Sequence, residues 1–300
     1  MISIIVSSVR DEVFDAFAES VLRTVGVAFE IIRIENKEGA LGICEAYNRG
    51  ASGAVYPFLC FVHEDVLFLT PEWGRILLEF FESDPEIGLI GIAGSKTKTR
   101  MVSNWWQPVI GGHEPKRGKV LQHFVNKLPH ITEWWEGDSQ IDEVVTVDGV
   151  FMVTRKSIWE QNKFDSELLT RFHAYDFDFS MQISQNWKIC ATRAILIEHF
   201  SLGTFDIDWV KETLAAHKKW RTCLPRSVHP DLDVQNFAFL EHQFINECYA
   251  KLARLRTGMT DSLRILYSAI SLLYPVASMK GLYWRIKMTG SWMKGYFTRR

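Results

Sequence analysis

The sequence predicts an α/β fold: a mostly parallel sheet flanked by helices, with a helical appendage in its C-terminal part. Three observations carry this expectation. Short apolar runs rich in Val, Ile and Phe alternate with helical apolar spacing through the first 95 residues. Residues 96–146 then keep neither period and hold Trp105, Trp106, Trp134 and Trp135 among polar residues. From about Gln235 onward the pattern is helical and aromatic, and from Lys251 it is strongly basic.

In order along the chain, ISIIVSS near the start is apolar and β-branched, as a strand buried on both faces requires. Residues 11–24 place Val13, Phe14, Phe17, Val21 and Leu22 at helical spacing, with Asp11 in the first turn. FEIIRI (29–34) is a second strand, and Leu41, Ile43, Cys44 and Tyr47 mark a helix with one apolar side. PFLCFV (57–62) is a third strand that stops at His63, Glu64 and Asp65. Pro71 opens a helix running through Phe81, and IGLIGIAG (87–94) is a fourth strand. The β-α-β-α-β order requires right-handed crossovers and a parallel sheet. Residues 96–146 read as long loops and an antiparallel excursion over one end of that sheet. VVTVDGVFMVTRK (144–156) is a strand broken at Asp148-Gly149; 176–187 is a helix, KICATRAILIEH (188–199) a strand, and 208–222 a helix.

Composition removes several classes of function. With 47% apolar and 23% charged residues the chain is globular, not disordered. A net charge of -2 excludes a generally basic nucleic-acid binder, but charge is unevenly distributed. Residues 251–300 carry ten Lys or Arg against one acid, Asp261, and so stand at +9; the first 250 residues carry 24 basic and 35 acidic groups, or -11. Cys44, Cys60, Cys190, Cys223 and Cys248 are scattered without metal-type spacing, which is expected of reduced thiols in a cytoplasmic protein. The apolar run at the N-terminus is shorter than a signal peptide needs. The weakly charged stretch from Ile265 to Met279 is too short and too polar to span a bilayer.

Ligands of an open parallel sheet collect at the carboxyl ends of its strands. Ser7 and Ser8 follow the first strand there, Glu35 and Asn36 the second, and His63-Glu64-Asp65 the third. Adjacent carboxylates after a buried strand suit a hard cation, which prefers oxygen ligands; they equally suit the opening of a solvated loop. No GxGxxG follows the first strand and no GxxxxGK[ST] occurs, so neither a Rossmann nor a P-loop phosphate site is present. Asp176 and Asp178 lie two apart at a helix start, where a carboxylate also caps. His199, after Glu198 at a strand end, is open to a ligand role or a structural one. The tryptophan pairs offer faces for sugar stacking or for packing of the excursion itself.

Taken in order, FVHEDVLF, VDGVFMVTRKSIW, FDSELLTRFHAYDFDFSMQI and IEHFSLGT resemble glycosyltransferase family 2. More narrowly, IENKEGALGICEAYNRGASGA followed by FVHEDV resembles the subgroup typed by a streptomycin-biosynthesis protein. The resemblance covers about residues 2–205 and rests on the combination of motifs rather than any one. It implies a GT-A fold over 1–205 with a helical, basic region over 206–300. It further implies a nucleotide-diphospho-sugar donor, Mg²⁺ or Mn²⁺, and inversion at the anomeric carbon.

Residue by residue, Asp65 matches the metal-binding end of the family's aspartate-rich motif. His63 stands where the motif's first aspartate belongs, with Glu64 between them. Asp176 matches the second member of the family's Glu-Asp pair, the catalytic base, and Tyr175 stands in place of the glutamate. His199 falls where a late histidine approaches metal and diphosphate. Ser7, Ser8, Glu35 and Asn36 lie on the nucleotide side, and Asp148 and Gly149 where the family lines the sugar and acceptor pocket. The acceptor implied is a glycan or lipid-linked molecule of surface-glycan synthesis. A sugar nucleotidyltransferase and a non-catalytic sugar-nucleotide or glycan binder are the alternatives. The basic tail fits either an anionic membrane surface, which would make the protein peripheral at the inner face, or packing against the acidic body.

Overall fold

Strand β1 (Ile2–Ser8) shows why the sheet is central: Ile4 and Val6 enter one apolar cluster and Ile5 the other, all fully buried. Strands whose two faces are both covered must be apolar at every position, as this run is. Helix α1 (Asp11–Thr24) and strand β2 (Phe29–Glu35) follow, then α2 (Ile43–Gly53) and β3 (Phe58–His63). After the His63-Glu64-Asp65 turn come β4 (Val66–Phe68), α3 (Trp73–Ser83), β5 (Ile87–Gly91), β6 (Ala93–Ser95) and β7 (Thr97–Lys98). The excursion supplies β8 (Lys116–Phe124), β9 (Lys127–Trp134), β10 (Ile141–Val144) and β11 (Thr146–Val147). Then follow β12 (Phe151–Arg155), α4 (Lys156–Gln161), α5 (Tyr175–Ile183), β13 (Lys188–Thr192) and β14 (Ile197–His199). The chain continues through α6 (Ile207–Lys219), β15 (Arg226–Ser227), α7 (Val234–Arg254), α8 (Met259–Leu273) and α9 (Met279–Phe297).

This computed structural model describes residues 1–300 except 125–126, 202, 230, 233, 256–257 and 298–300, and except the side chains of 234–236 and 292–297. Arg256, Arg299 and Arg300 of the basic tail, and the side chains of Trp292, Lys294, Tyr296 and Phe297, thus lie outside the described residues.

The main sheet has seven strands in the order β10-β13-β5-β12-β3-β1-β2. β1 pairs in parallel with β2 and β3, and β13 with β5; β12 runs antiparallel between β3 and β5, and β10 antiparallel at the edge. A smaller sheet, β11-β6-β8-β14-β4 with β9 beside β8, lies across the carboxyl ends of the main one. This is a curled, mostly parallel sheet with helices on both faces and a helical C-terminal extension: a GT-A-like architecture.

Two sequence runs that read as single strands are each divided between the sheets. IGLIGIAG becomes β5 and β6, and KICATRAILIEH becomes β13 and β14. In the second, Thr192 Oγ1 accepts from Ala194 N and donates to the Gln140 carbonyl, which ends the ladder and turns the chain. The helix expected over 176–187 ends at Ile183, and its last residues form tight turns instead. Residues 96–146 do make an antiparallel excursion, in which β8 pairs with β9 from Gly118 opposite Trp134.

A third apolar cluster joins α6, α7, α8 and α9 to Met101, Val102 and Ile110. The helical extension therefore packs its own core and rests on the excursion.

Candidate active site

The register of the small sheet assembles one side of the site. β4 and β14 pair antiparallel with Val66 opposite His199, so the turn leaving β3 is brought beside the end of β14. Asp65 Oδ1 then lies 3.8 Å from His199 Nε2 and 3.9 Å from His63 Nδ1. His63, Asp65 and His199 each offer a ligand atom, all within 4.8 Å of one another. Burial pulls both imidazoles below the usual histidine range, His199 to about 4, which favours the neutral form that offers a lone pair. Gln122 fixes the His199 tautomer. Its Nε2 donates to the His199 and Ser201 carbonyls, so its Oε1 must accept from His199 Nδ1–H at 3.1 Å, leaving the His199 Nε2 unprotonated, 3.4 Å from Ser201 Oγ.

Glu64 is turned the other way. Its carboxylate accepts from Val9 N at 3.1 Å and Arg10 N at 3.3 Å, capping the entry to α1, and it remains at the cleft wall. Ser7 also lines the cleft. Ser8, Glu35 and Asn36 do not. Ser8 is buried and accepts from Arg33 Nε, Glu35 is exposed, and Asn36 closes its own loop through two bonds with Leu41.

The opposite wall comes from the break between β11 and β12 and from the start of α5. Ala174 adopts a left-handed conformation, φ 59°, which swings Tyr175 and Asp176 inward before the helix begins. Asp176 accepts from Phe177 N at 2.8 Å and Gly149 N at 3.2 Å. Burial nevertheless raises its pKa, against those bonds and the nearby Lys98 cation. Asp148 accepts from Val150 N and from the Trp105 indole, and burial and the neighbouring Asp176 push it up to about 7. Gly149 lies behind Tyr175, and a Cβ there would stand 2.2 Å from the Tyr175 hydroxyl.

Asp178 points away from this wall, as two positions of helix, about 200° of rotation, require. It is 1% exposed and accepts from Trp220 Nε1 at 2.7 Å, Gln182 Nε2 at 2.7 Å and Lys219 Nζ, fastening α6 to α5.

Several contributors gave no signal in the sequence. Glu212 on α6 accepts from Arg171 N and His173 N, holding the loop that leads to Ala174. Lys98 is fully buried; its ammonium donates to the Ser103 and Asn104 carbonyls and sits 4.5 Å over the Phe177 ring. It thereby fixes the 103–105 segment, which carries Trp105 into the cleft. Of the four tryptophans, Trp105 is the one that lines the cleft, while Trp106 and Trp134 stack on Lys116 and Trp135 on Arg193. Ser201, Gly203, Thr204, Phe205 and Asp206 complete the rim.

The cleft encloses about 650 Å³, within the range of small-molecule sites. The histidine–aspartate trio, Arg10 and Ser7 line it together with Asp148, Tyr175 and Asp176. The buried carboxylates Asp148 and Asp176 thus face the same cavity as the His63-Asp65-His199 cluster, whose ligand atoms lie close enough together to share a cation. The chain belongs to the glycosyltransferase-like family, whose sequence profile matches residues 3–199. No curated protein matches the sequence. Among solved structures, the chain is similar to S. aureus TarS 1–349 in complex with UDP, at 13% identity and a TM-score of 0.56 over 100% of this chain and 92% of that one. It is also similar to GalNAc-T7 with UDP, GalNAc and Mn²⁺, at 12% identity and a TM-score of 0.50 over 92% of this chain and 58% of that one. At these identities the likeness speaks for the GT-A-like fold.

Proposed function

We propose that the protein is an inverting, cation-dependent glycosyltransferase that moves a sugar from a nucleoside-diphosphate donor to a hydroxyl of a glycan or lipid-linked acceptor. The observation that carries this reading is the opposition of two acidic sites across one cleft, Asp65 with its two histidines on one wall and Asp176 on the other. The narrower likeness to the streptomycin-biosynthesis-type subgroup rests on the quoted motifs and accords with the same reading.

His63, Asp65 and His199 would hold the cation. Two imidazoles and one carboxylate suit a transition-series ion better than Mg²⁺, which favours Mn²⁺ of the two. When bound, such an ion supplies Lewis-acid stabilisation of the departing diphosphate. Ser7 and Arg10, on the β1 side, face the donor's nucleotide end, and Arg10 adds positive charge at the mouth. Asp176 accepts the proton of the acceptor hydroxyl as its oxygen bonds to the anomeric carbon and the bond to the diphosphate oxygen breaks. The Gly149 and Phe177 amides fix the carboxylate's orientation while burial raises its basicity. Asp148, close to neutrality in its proton affinity, donates or accepts at the sugar or acceptor. Trp105 gives a ring face beside it.

A panel of UDP-, dTDP- and GDP-sugars, assayed with Mn²⁺ for nucleoside diphosphate release, tests the reading. Release dependent on an acceptor supports transfer. Nucleotide binding with no release supports a non-catalytic binder, and release of pyrophosphate from a sugar phosphate and a nucleotide supports a nucleotidyltransferase.

The same reading places the protein at the inner face of a membrane, where lipid-linked acceptors are made. No helix among the described residues is long and apolar enough to cross one. On α9, Met279, Leu282, Tyr283 and Ile286 recur at i, i+3, i+4 and i+7 and are all about half or more exposed, while Trp284 and Met288 face the helical core. Lys280, Arg285 and Lys287 flank the stripe, each contributing ~1 kcal/mol at an anionic surface. Packing and membrane contact thus use different faces of one helix. Flotation with anionic but not neutral liposomes is expected; equal recovery on both, or none, removes membrane contact.

A further inference from the structure

The two residues that depart from the family's motifs touch each other. His63 Nε2 and the Tyr175 hydroxyl are 2.7 Å apart, although 112 residues separate them in sequence. The geometry points to Tyr175 as a positioning residue for the cation site: its hydroxyl accepts from His63 Nε2–H and so presents His63 Nδ1 to the cation beside Asp65. This inference rests on the cation-dependent reading above.

Chemistry fixes which nitrogen is which. The Nδ1 side of His63 faces Asp65 Oδ1, so Nε2 is the atom free to take an outer partner. A ligating imidazole nearly always gives its other N–H to such a partner, which sets both tautomer and ring angle. Gln122 does this for His199 through Nδ1, and Tyr175 does it for His63 through Nε2. The trio thus has one outer partner for each histidine.

The phenol is held where this bond requires it. Tyr175 is 5% exposed, set edge-on to Tyr47 at 5.9 Å, and launched inward by the left-handed Ala174. Burial keeps it a neutral phenol. Gly149 supplies the room, because a methyl group there would meet the hydroxyl at 2.2 Å and the ring at 2.4 Å. A glycine at 149 therefore serves the cation wall as well as the base, to which its N–H donates.

The test is a double-mutant cycle on Mn²⁺ affinity, read from the free-Mn²⁺ electron paramagnetic resonance signal with no nucleotide present. Tyr175→Phe is expected to weaken Mn²⁺ binding about 10- to 100-fold, the usual loss for an outer-shell partner. In a His63→Ala background the same change is expected to do nothing further, since its effect passes through His63. Gly149→Ala, which keeps the phenol but displaces it, is expected to reproduce the loss and serves if Tyr175→Phe fails to fold. Unchanged Mn²⁺ affinity in folded Tyr175→Phe, or an equal loss with and without His63, overturns the proposal. Wild-type protein that binds no Mn²⁺ overturns it together with the cation-dependent reading. Sugar transfer that is absent while the cycle behaves as expected overturns the transferase reading and leaves the positioning role standing.

Discussion

The two walls of the cleft are built by different means. The wall proposed to hold the cation is fixed by strand register: β4 pairs with β14, which pairs with β8, and His199, Asp65 and Gln122 fall into place from those ladders. The wall proposed to carry the base depends on loops. The loop before Ala174 is held by one buried side chain, Glu212, and the 103–105 segment by another, Lys98, while the Asp148-Gly149 break is tied by the bonds of Gly149 N to Asp176 and of Val150 N to Asp148. Its acids are also the ones whose proton affinity burial raises. Ladder-built geometry tolerates loss of one side chain, whereas a loop held by one buried charge does not. The cation wall should therefore fail in binding, and the base wall in turnover and stability.

The largest expected effect is at the proposed base. Asp176→Asn should lower turnover by ~10² to 10⁴-fold, the usual contribution of a general base, while donor binding persists because the base meets the acceptor. Steady-state rates beside donor titration check this. Persistence of wild-type turnover would move the base to Asp148.

Next comes Asp178→Asn, two positions on. It weakens the charge-assisted hydrogen bonds that the buried carboxylate accepts from Trp220, Gln182 and Lys219, which keeps Asp165 as a partner, and a loss of about 2 kcal/mol in denaturant unfolding is expected, with turnover per folded molecule nearly unchanged. A collapse of turnover without a change in stability would reverse the two aspartates' assignments.

Asp148 gives a pH test of the same wall. Its folded pKa is raised to about 7, above the usual 3.8, so the folded protein holds this proton more tightly. The stabilisation is fully present below about pH 4 and is lost as pH rises through 7. Asp148→Asn should flatten this part of the melting-temperature profile. Asp176, its neighbour, shifts the same way and shares the profile, so a slope unchanged in the variant would assign it to Asp176 alone.

The smallest effect is at Ala174, where a left-handed non-glycine residue costs about 1 kcal/mol. Ala174→Gly relieves that cost but frees the α5 entry, so melting temperature should change little while turnover falls. A rise in both would show that the conformation has no positioning value.

Much of this fold was legible in the sequence because a buried parallel strand must be apolar throughout, as ISIIVSS and PFLCFV are. The division of 87–95 and 188–199 between two sheets was not, since Ile92 keeps the first run apolar across its break, Thr192-Arg193 interrupts the second for only two residues, and tertiary pairing separates the halves. Within the cleft, residues matching ordered motifs were nameable: His63, Asp65, Tyr175, Asp176 and His199 all face one cavity. Strand-end position alone was a poorer guide. Ser8 ends its strand and Asn36 follows its own, but they spend their polar atoms on Arg33 and Leu41. Lys98 and Glu212 sit in polar stretches where nothing distinguishes a buried charge from a solvated one. The contact between His63 and Tyr175 crosses 112 residues, beyond any local pattern.

The central claim is that one cavity holds a cation site for the donor and a separate base for the acceptor. Calorimetric titration of UDP into wild-type protein, Asp65→Ala and Asp176→Asn, each with Mn²⁺ and with excess chelator, tests it most directly. The account predicts Mn²⁺-dependent UDP binding in the wild type and in Asp176→Asn, and its loss in folded Asp65→Ala. UDP binding that is indifferent to chelator and to Asp65→Ala would contradict it.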